Sequence, residues 1–356
     1  MKNEKLIYIY PTLASFIKKD IDFLSKTYFI QTIPQTWDNK LLIPITLAMQ
    51  AFRLLLKLNK TKVIIIMFGG YWSLFPSIYG RIFNIPVFII LGGTDCVSFP
   101  SINYGSLRKP LLKLFIKWSY QLCKRLVPVD ESLVYNNYFY FEPEIYKEQG
   151  YKVFFPKIKT QYTVIPNGFD YSFWGNRSIQ NKNIPNSFVT VANVSDNTRF
   201  LVKGIDVVIE LAKYFPKYSF KIIGISESYK SSLNIPKNVI CYSFLASEQV
   251  KNILAETEFY LQLSISEGFP NALCEAMLSG CIPIGSNVGA IPKIISDTGF
   301  VINKKNLNEI FSTLTKITSL NDFHKKELAN NARQRIIDNF DISKREQAFC
   351  KLISAT

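Results

Sequence analysis

Two glutamates and a lysine are the residues best suited to chemistry in this chain. Glu267 and Glu275 stand eight positions apart in Ser266-Glu-Gly-Phe-Pro-Asn-Ala-Leu-Cys-Glu-Ala-Met-Leu-Ser-Gly280. The surrounding stretch, Glu258 to Pro283, reads as strand, glycine turn, short helix and second strand, which puts Glu267 in the turn and Glu275 on the helix. A helix N-terminus exposes unpaired amides that suit a phosphate or a polarised hydroxyl. Two carboxylates beside it can hold the hydroxyls of a ribose and of a sugar, which is the equipment of a nucleotide-sugar site.

Lys203 and Gly204 open a helical pattern after the apolar run Ser187–Ala192. A lysine at such a strand-to-helix junction can reach a diphosphate held over a cleft, with Arg199 four residues earlier sharing the charge. Asp206 then serves its helix N-terminus. Asp20-Ile-Asp22 has the look of a metal-binding pair, but the amphipathic stretch Ile17–Leu24 offers no third ligand. It reads as a solvated helix face, and no metal is expected. Gly69-Gly70-Tyr71-Trp72-Ser73 follows an apolar strand. Its glycines permit close approach to backbone, and Tyr71 and Trp72 could stack on a sugar acceptor.

The elements that must position these residues alternate. Continuous apolar runs at 6–10, 63–68, 86–91, 126–129 and 162–165 suit strands of a parallel sheet buried on both faces, with helical patterns at 46–59 and 107–125. A second set follows: strands near 187–192, 219–224, 238–242, 259–263, 282–285 and 299–302, and helices at 204–214, 246–255, 271–279 and 322–349. Two α/β domains are expected, 1–166 and 187–356, joined by a linker at 167–186 where Asn, Gly, Ser and Pro cluster.

Composition narrows the partners. The 356 residues suit two domains, and 48% apolar with 19% charged residues excludes wholesale disorder. Residues 1–165 carry 21 Lys and Arg against 10 Asp and Glu, and residues 166–356 carry 21 against 17. The net charge of +15 is therefore concentrated in the first half, where an anionic surface such as a bilayer is the expected partner. Nucleic acid fits poorly, for want of arginine runs interleaved with aromatics. Leu107, Leu111, Leu114, Trp118 and Leu122 recur at helical spacing with lysines beside them, and 46–60 repeats the theme. That pattern describes either a helix packed on a sheet or one lying on a membrane. The six cysteines are scattered and read as reduced core thiols of a cytoplasmic protein. The apolar runs are too short for a secretory leader or for the ~20 residues of a membrane span.

Four motifs in order, Ile165-Pro-Asn-Gly-Phe-Asp170, Lys203-Gly204, the Glu267–Glu275 stretch and Asn287-Val-Gly-Ala-Ile-Pro292, carry a likeness. The chain resembles the family-4 retaining glycosyltransferases, the glycosyl transferases group 1. That resemblance implies a GT-B fold: two doubly wound, Rossmann-like parallel-sheet domains facing across a cleft, with the last helix packing back on the first domain. It implies that Glu275 accepts from the donor ribose, that Glu267 holds the transferred sugar, and that Lys203, with Arg199, offsets charge on the leaving diphosphate. The amides of Gly268, Phe269 and Asn271 would line the pocket, with Gly204 beside Lys203. The donor would be a UDP- or GDP-sugar, with no cofactor. The acceptor would be a glycan or lipid-linked saccharide, met at the inner face of the cell membrane. The abundance of Lys, Asn and Ile points to an AT-rich bacterial genome, and so to surface polysaccharide or glycolipid assembly.

The first half departs from the family pattern. Where relatives have His-Gly-x-Asp facing the bond being broken, this chain has Gly92-Gly93-Thr94-Asp95, leaving Asp95 as a catalytic candidate for orienting the donor or acceptor. The one histidine, His324, lies in the C-terminal helical region. Two alternatives follow: a non-catalytic partner subunit that keeps the fold, or a nucleotide-sugar epimerase.

Overall fold

The computed structural model describes residues 4–35, 43–175 and 184–356. The first sheet is wholly parallel. It is built from β1 (Lys5–Tyr10), β2 (Phe29–Pro34), β3 (Thr61–Met67), β4 (Val87–Leu91) and β5 (Arg125–Pro128) in the order β2-β1-β3-β4-β5. Helices Ser15–Thr27, Ile43–Leu55, Tyr71–Ile82 and Pro110–Leu122 cross between the strands. Ile64, Ile65, Ile66, Ile89 and Ile90 have no exposed surface, as expected of strands covered on both faces. A short antiparallel pair, β6 (Asn136–Asn137) with β7 (Glu148–Gln149), closes an excursion from this domain.

The second sheet holds β8 (Ile184–Val194), β9 (Ser219–Ile225), β10 (Val239–Tyr242), β11 (Thr257–Gln262), β12 (Ile282–Ser286) and β13 (Phe300–Ile302) in the order β10-β9-β8-β11-β12-β13, again parallel throughout. Both sheets reverse direction at an interior strand pair. The chain leaves β1 towards β2 and then returns to β3 on the other side; it leaves β8 towards β9 and returns to β11. Loops diverge at such a reversal and open a crevice at the carboxyl ends of the strands. The Lys203 loop follows β8 and the Glu267 loop follows β11, so the second crevice lies between them.

Three expected elements differ. The run 162–165 is extended but forms one bridge, Leu126 with Tyr162, because the chain is already leaving the sheet towards Pro166. The fifth strand is instead β2, an edge strand whose mixed sequence Phe-Ile-Gln-Thr-Ile-Pro hides its role. The helical pattern 322–349 is two helices, Asp322–Phe340 and Ile342–Ser354. Extended Asp341 separates them and caps the second, its carboxylate accepting from the Ser343 amide.

That break lets the chain turn back. Helix Ile342–Ser354 lies against helix Ser15–Thr27 of the first domain, with Phe349 on Phe23 and Glu346 on Lys26. The two passages between domains run side by side: the Phe169 amide donates to the Phe340 carbonyl at 2.9 Å, and the Ile342 amide to the Phe169 carbonyl at 3.0 Å. Asp20 departs from the expected solvated face. It is fully buried and takes a two-pronged bond from Arg345, Nε to Oδ1 and Nη2 to Oδ2, both 2.7 Å, plus the Tyr8 hydroxyl at 3.0 Å. Arg345 Nη1 also donates to the carbonyls of Ile165 and Pro166. A guanidinium is suited to this because its fork matches a carboxylate and leaves spare donors for the crossing chain. Of the linker expected at 167–186, residues 176–183 lie outside the described residues.

Candidate active site

Glu267 sits where β11 runs out into the loop 263–270, and neighbours on that strand end hold it. Its Oε1 accepts from Ser264 Oγ at 2.8 Å, Gln262 Nε2 at 3.1 Å and Lys203 Nζ at 2.5 Å. All three bonds fall on one oxygen, and Oε2 has no partner among the described residues. Lys203 comes from the end of helix Asn197–Val202. Gly204 next to it has φ +68°, and a Cβ there would stand 2.0 Å from the Leu263 carbonyl oxygen. Only glycine lets the two loops approach this closely, and that approach brings Lys203 to Glu267.

Glu275 lies one turn into helix Asn271–Leu278. Its flanks Cys274, Ala276, Met277 and Leu278 are core, and among the described residues its carboxylate has no hydrogen-bond partner. Burial by the surrounding protein pushes its pKa up to about 7, with the Lys19 ammonium pulling the other way. A carboxylate that is crowded, half-neutral and unbonded is poised for a donor of hydrogen bonds. Lys19 reaches this place from the first domain's helix Ser15–Thr27 and lies over the Phe169 ring, 5.1 Å from its centre.

The remaining predicted residues fall into two groups. Gly268 is where the domains touch: a Cβ there would lie 2.2 Å from the Gly92 carbonyl oxygen. The Gly92-Gly93 loop of the first domain thus rests on the turn that carries Glu267. Asn271 Oδ1 accepts from Asn167 Nδ2 at 2.9 Å, tying the helix start to the crossing chain. The Phe269 ring is buried, stacked on Phe169 and edge-on to Phe340, and so belongs to the joint between domains. Arg199 is exposed on its helix, bonded to Ser195 and paired with Asp196 at 3.6 Å.

Asp95 has no exposed surface. Its oxygens accept from the amides of Gly69, Gly92 and Gly93 and from the Tyr120 hydroxyl at 2.9–3.3 Å. Burial raises its pKa against the lowering effect of those bonds. The carboxylate therefore pins the turn after β3 to the turn after β4. Gly70 starts helix Tyr71–Ile82. The Trp72 indole donates back to the carbonyls of Met67 and Phe68, and Tyr71 packs edge-on against Phe115, so both rings engage their own layer.

Two residues that sequence reasoning missed belong to the cleft. Tyr104 lies on the loop after Phe99. Its pKa is raised by burial and then by the charges of Glu267 and Asp95, with Arg199 opposing, so it lies within electrostatic reach of all three. Tyr138, from the β6–β7 excursion, donates to the Ile265 carbonyl at 2.9 Å and braces the loop before Glu267. Neither carries a local signal of the Glu267 loop, which lies more than a hundred positions away from each. The glycine at position 105 after Tyr104 (φ +91°) marks only a turn.

With this geometry in place, residues 181–335 match the family model described as Glycosyl transferases group 1. A stretch of 120 residues is 29% identical to a 41.2 kDa protein in the cps region of Klebsiella pneumoniae, over 33% of this chain and 34% of that one. Another of 151 residues is 26% identical to the UDP-Gal:alpha-D-GlcNAc-diphosphoundecaprenol alpha-1,3-galactosyltransferase of Escherichia coli, over 38% of each chain. These matches span little more than a third of the curated relatives. The fold likeness is complete. Sucrose-phosphate synthase from Thermosynechococcus elongatus superposes with a TM-score of 0.74 at 13% identity, covering 99% of this chain and 100% of that one. HepE of Anabaena in complex with UDP gives 0.71 at 14% identity with the same coverage. The chain has the GT-B fold, and the stretch that matches the group 1 glycosyltransferase model lies within its second domain.

Proposed function

We propose that this protein is a retaining glycosyltransferase that moves a sugar from a UDP- or GDP-sugar to a glycan or lipid-linked saccharide. The observation that carries the reading is the Lys203–Glu267 ion pair at the reversal of the second sheet, with Glu275 on the helix that follows the Glu267 loop. Without donor, Lys203 and Glu267 neutralise each other. A bound diphosphate draws Lys203 away and frees Glu267 for the hydroxyls of the sugar, while Glu275 accepts from the ribose. As the glycosidic bond breaks, Lys203 offsets the growing charge on the leaving phosphate, aided by Arg199. The leaving phosphate takes the acceptor proton on the same face, which accounts for retention. Asp95 supports this front-face route: with four hydrogen bonds already made, it is not free to act as a nucleophile and serves to position the Gly92-Gly93 loop. A partner subunit with no catalysis would have no use for a Glu267 oxygen and a Glu275 carboxylate kept unbonded in a cleft.

The acceptor side of the reading rests on the first domain's surface. On helix Pro110–Leu122 the inward residues are Ile116, Ser119 and Tyr120, while Leu111, Leu114 and Trp118 are exposed beside Lys117. Helix Ile43–Leu55 and its end likewise expose Ile45, Met49, Phe52, Leu55 and Leu56 beside Arg53 and Lys60, with Phe52 64% and Leu56 68% open. Helix Tyr71–Ile82 packs between these two. An apolar face rimmed by positive charge suits peripheral contact with an anionic leaflet and delivery of a lipid-linked acceptor. No helix among the described residues is long and apolar enough to cross a membrane.

The test is direct. Purified protein is offered a panel of nucleotide sugars with and without lipid-linked saccharides, and the anomeric configuration of the product is read by NMR. Acceptor-dependent transfer with retention is expected. Donor epimerisation without transfer, or no turnover of any donor that binds, contradicts the proposal.

A further inference from the structure

Helix Pro110–Leu122 turns Leu111, Leu114 and Trp118 outward, and a groove runs along its flank. The facing wall is the end of the short helix Tyr151–Phe154 and the residues 155–158 that follow it. The groove holds about 490 Å³, within the roughly 300–1,000 Å³ of small-molecule sites. It follows the helix from Pro110 to Gln121, about 16 Å at a rise of ~1.5 Å per residue. That is about half of a ~30 Å hydrocarbon core, which is the depth of one leaflet and so the length of one acyl chain.

The charge on this groove has one sign. Lys113, Lys117 and Lys157 line it, and no Asp or Glu does. Lys113 holds its ammonium over the rings of Phe154 and Phe155, 5.2 and 5.9 Å from their centres. A ring face positions an ammonium and leaves N–H donors for a further partner. Lys117 and Lys157 are exposed. Among the described residues, none of the three is paired with a carboxylate. Three such groups around one groove call for an anion, and phosphate takes lysines as point charges.

The surface between the lysines is carbon. Among the described lining residues, Gln121 is the one polar side chain apart from them. An extended peptide laid here would give up the hydration of its amides for almost no partners. An acyl chain has no such groups to satisfy. Leu114 belongs both to the outward stripe and to the groove wall, so a chain can pass from one to the other along apolar surface.

We propose that this groove seats one anionic phospholipid, with a single acyl chain along helix Pro110–Leu122 and the phosphate among Lys113, Lys117 and Lys157. It deepens the leaflet contact read above for the first domain, from a surface attraction to a site for one molecule. Calorimetry with dihexanoyl-phosphatidylglycerol below its micelle concentration tests the site on the full chain without any bilayer. The wild type should bind one molecule, and dibutanoyl-phosphatidylglycerol should bind more weakly, by about fourfold for each methylene lost from the seated chain. Dihexanoyl-phosphatidylcholine, which has no net charge, and glycerol 3-phosphate, which has no chain, should each bind about tenfold more weakly or worse. Lys117→Glu with Lys157→Glu alters two exposed residues, so Tm should hold while affinity for the anionic lipid falls about tenfold or more. Phe52→Ser, outside the groove, should bind as the wild type does. Lack of saturable binding to the wild type, equal affinity for the phosphocholine lipid or for glycerol 3-phosphate, or unchanged affinity in the double variant would overturn the proposal. So would displacement of the lipid by an equal concentration of hexaglutamate, which would make the groove a peptide dock. Failure of the leaflet contact appears separately, as no flotation with anionic vesicles, and failure of the transferase reading as no turnover of any donor.

Discussion

Asp20, buried, and Glu275, half-buried, are acids on the two sides of the same interdomain joint, and they are treated in opposite ways. Asp20 receives three hydrogen bonds, two of them from Arg345, whose remaining donors hold the crossing chain. Glu275 receives none among the described residues, and burial alone lifts its pKa to about 7. Asp95 follows Asp20, with both oxygens occupied by glycine amides and a tyrosine. Glu267 stands between the two patterns, with one oxygen saturated and the other free. Burial and charge are therefore poor guides to function here. The fate of each lone pair separates a carboxylate that holds the fold from one that waits for a ligand.

The largest effect should come from breaking the saturated side. Arg345→Ala leaves Asp20 buried and uncompensated, which typically costs about 3–5 kcal/mol. Urea unfolding should show a loss of that size, and a loss under about 1 kcal/mol would remove the pair from the joint. On the unsaturated side, Glu267→Ala should lower kcat/KM by roughly tenfold to a hundredfold, the worth of one hydrogen bond to a charged group. Lys203→Ala should lower it more than Lys203→Arg, and wild-type rates for both would take Lys203 away from the diphosphate.

Glu275 sharpens the contrast through pH. A raised pKa means that the folded protein keeps a proton that the unfolded chain loses, so the Glu275 contribution to stability declines as pH rises from about 4.5 towards 7. Nucleotide binding should run the other way. Affinity should rise towards pH 7 and level off above it, as the carboxylate ionises and accepts from the ribose, and Glu275→Gln should flatten the profile. Calorimetry at pH 6 and 8 checks both slopes. The smallest effect belongs to the apolar basic face. Phe52→Ser with Trp118→Ser should weaken flotation with anionic vesicles several-fold while leaving turnover of a soluble acceptor unchanged. Equal binding to neutral and anionic vesicles would count against the electrostatic account.

The unsaturated side was the more legible in sequence. Glu267, Glu275 and Lys203 lie on local strand–turn–helix patterns, and spacing alone assigns Lys203 and Glu267 to strand ends and Glu275 to the helix that follows. Continuous apolar strands implied parallel sheets, and the strand order that opens the crevice between β8 and β11 came from the structure. The saturated side left no such trace. Asp20 looks like a surface residue because its partner, Arg345, is 325 positions away and reaches it only once the chain turns back at Asp341. Tyr104 and Tyr138 are hidden for the same reason, since a lone tyrosine in a loop gives no sign of what lies near it. The Leu111–Trp118 stripe left two readings open. Periodicity locates a face but not which way it points, and here the residues turned inward are Ile116, Ser119 and Tyr120.

The central claim, that Glu275 is kept unbonded for a nucleotide sugar, is tested most directly by thermal shift with a panel of UDP- and GDP-sugars at pH 8 on the wild type and Glu275→Gln. A ligand that binds only the folded state raises its apparent stability. The account predicts that Glu275→Gln melts no lower than the wild type without ligand, because a crowded charge has gone, and that it loses most of the shift given by the donor. A variant that melts well below the wild type yet keeps the full shift would make Glu275 a structural residue and contradict the account.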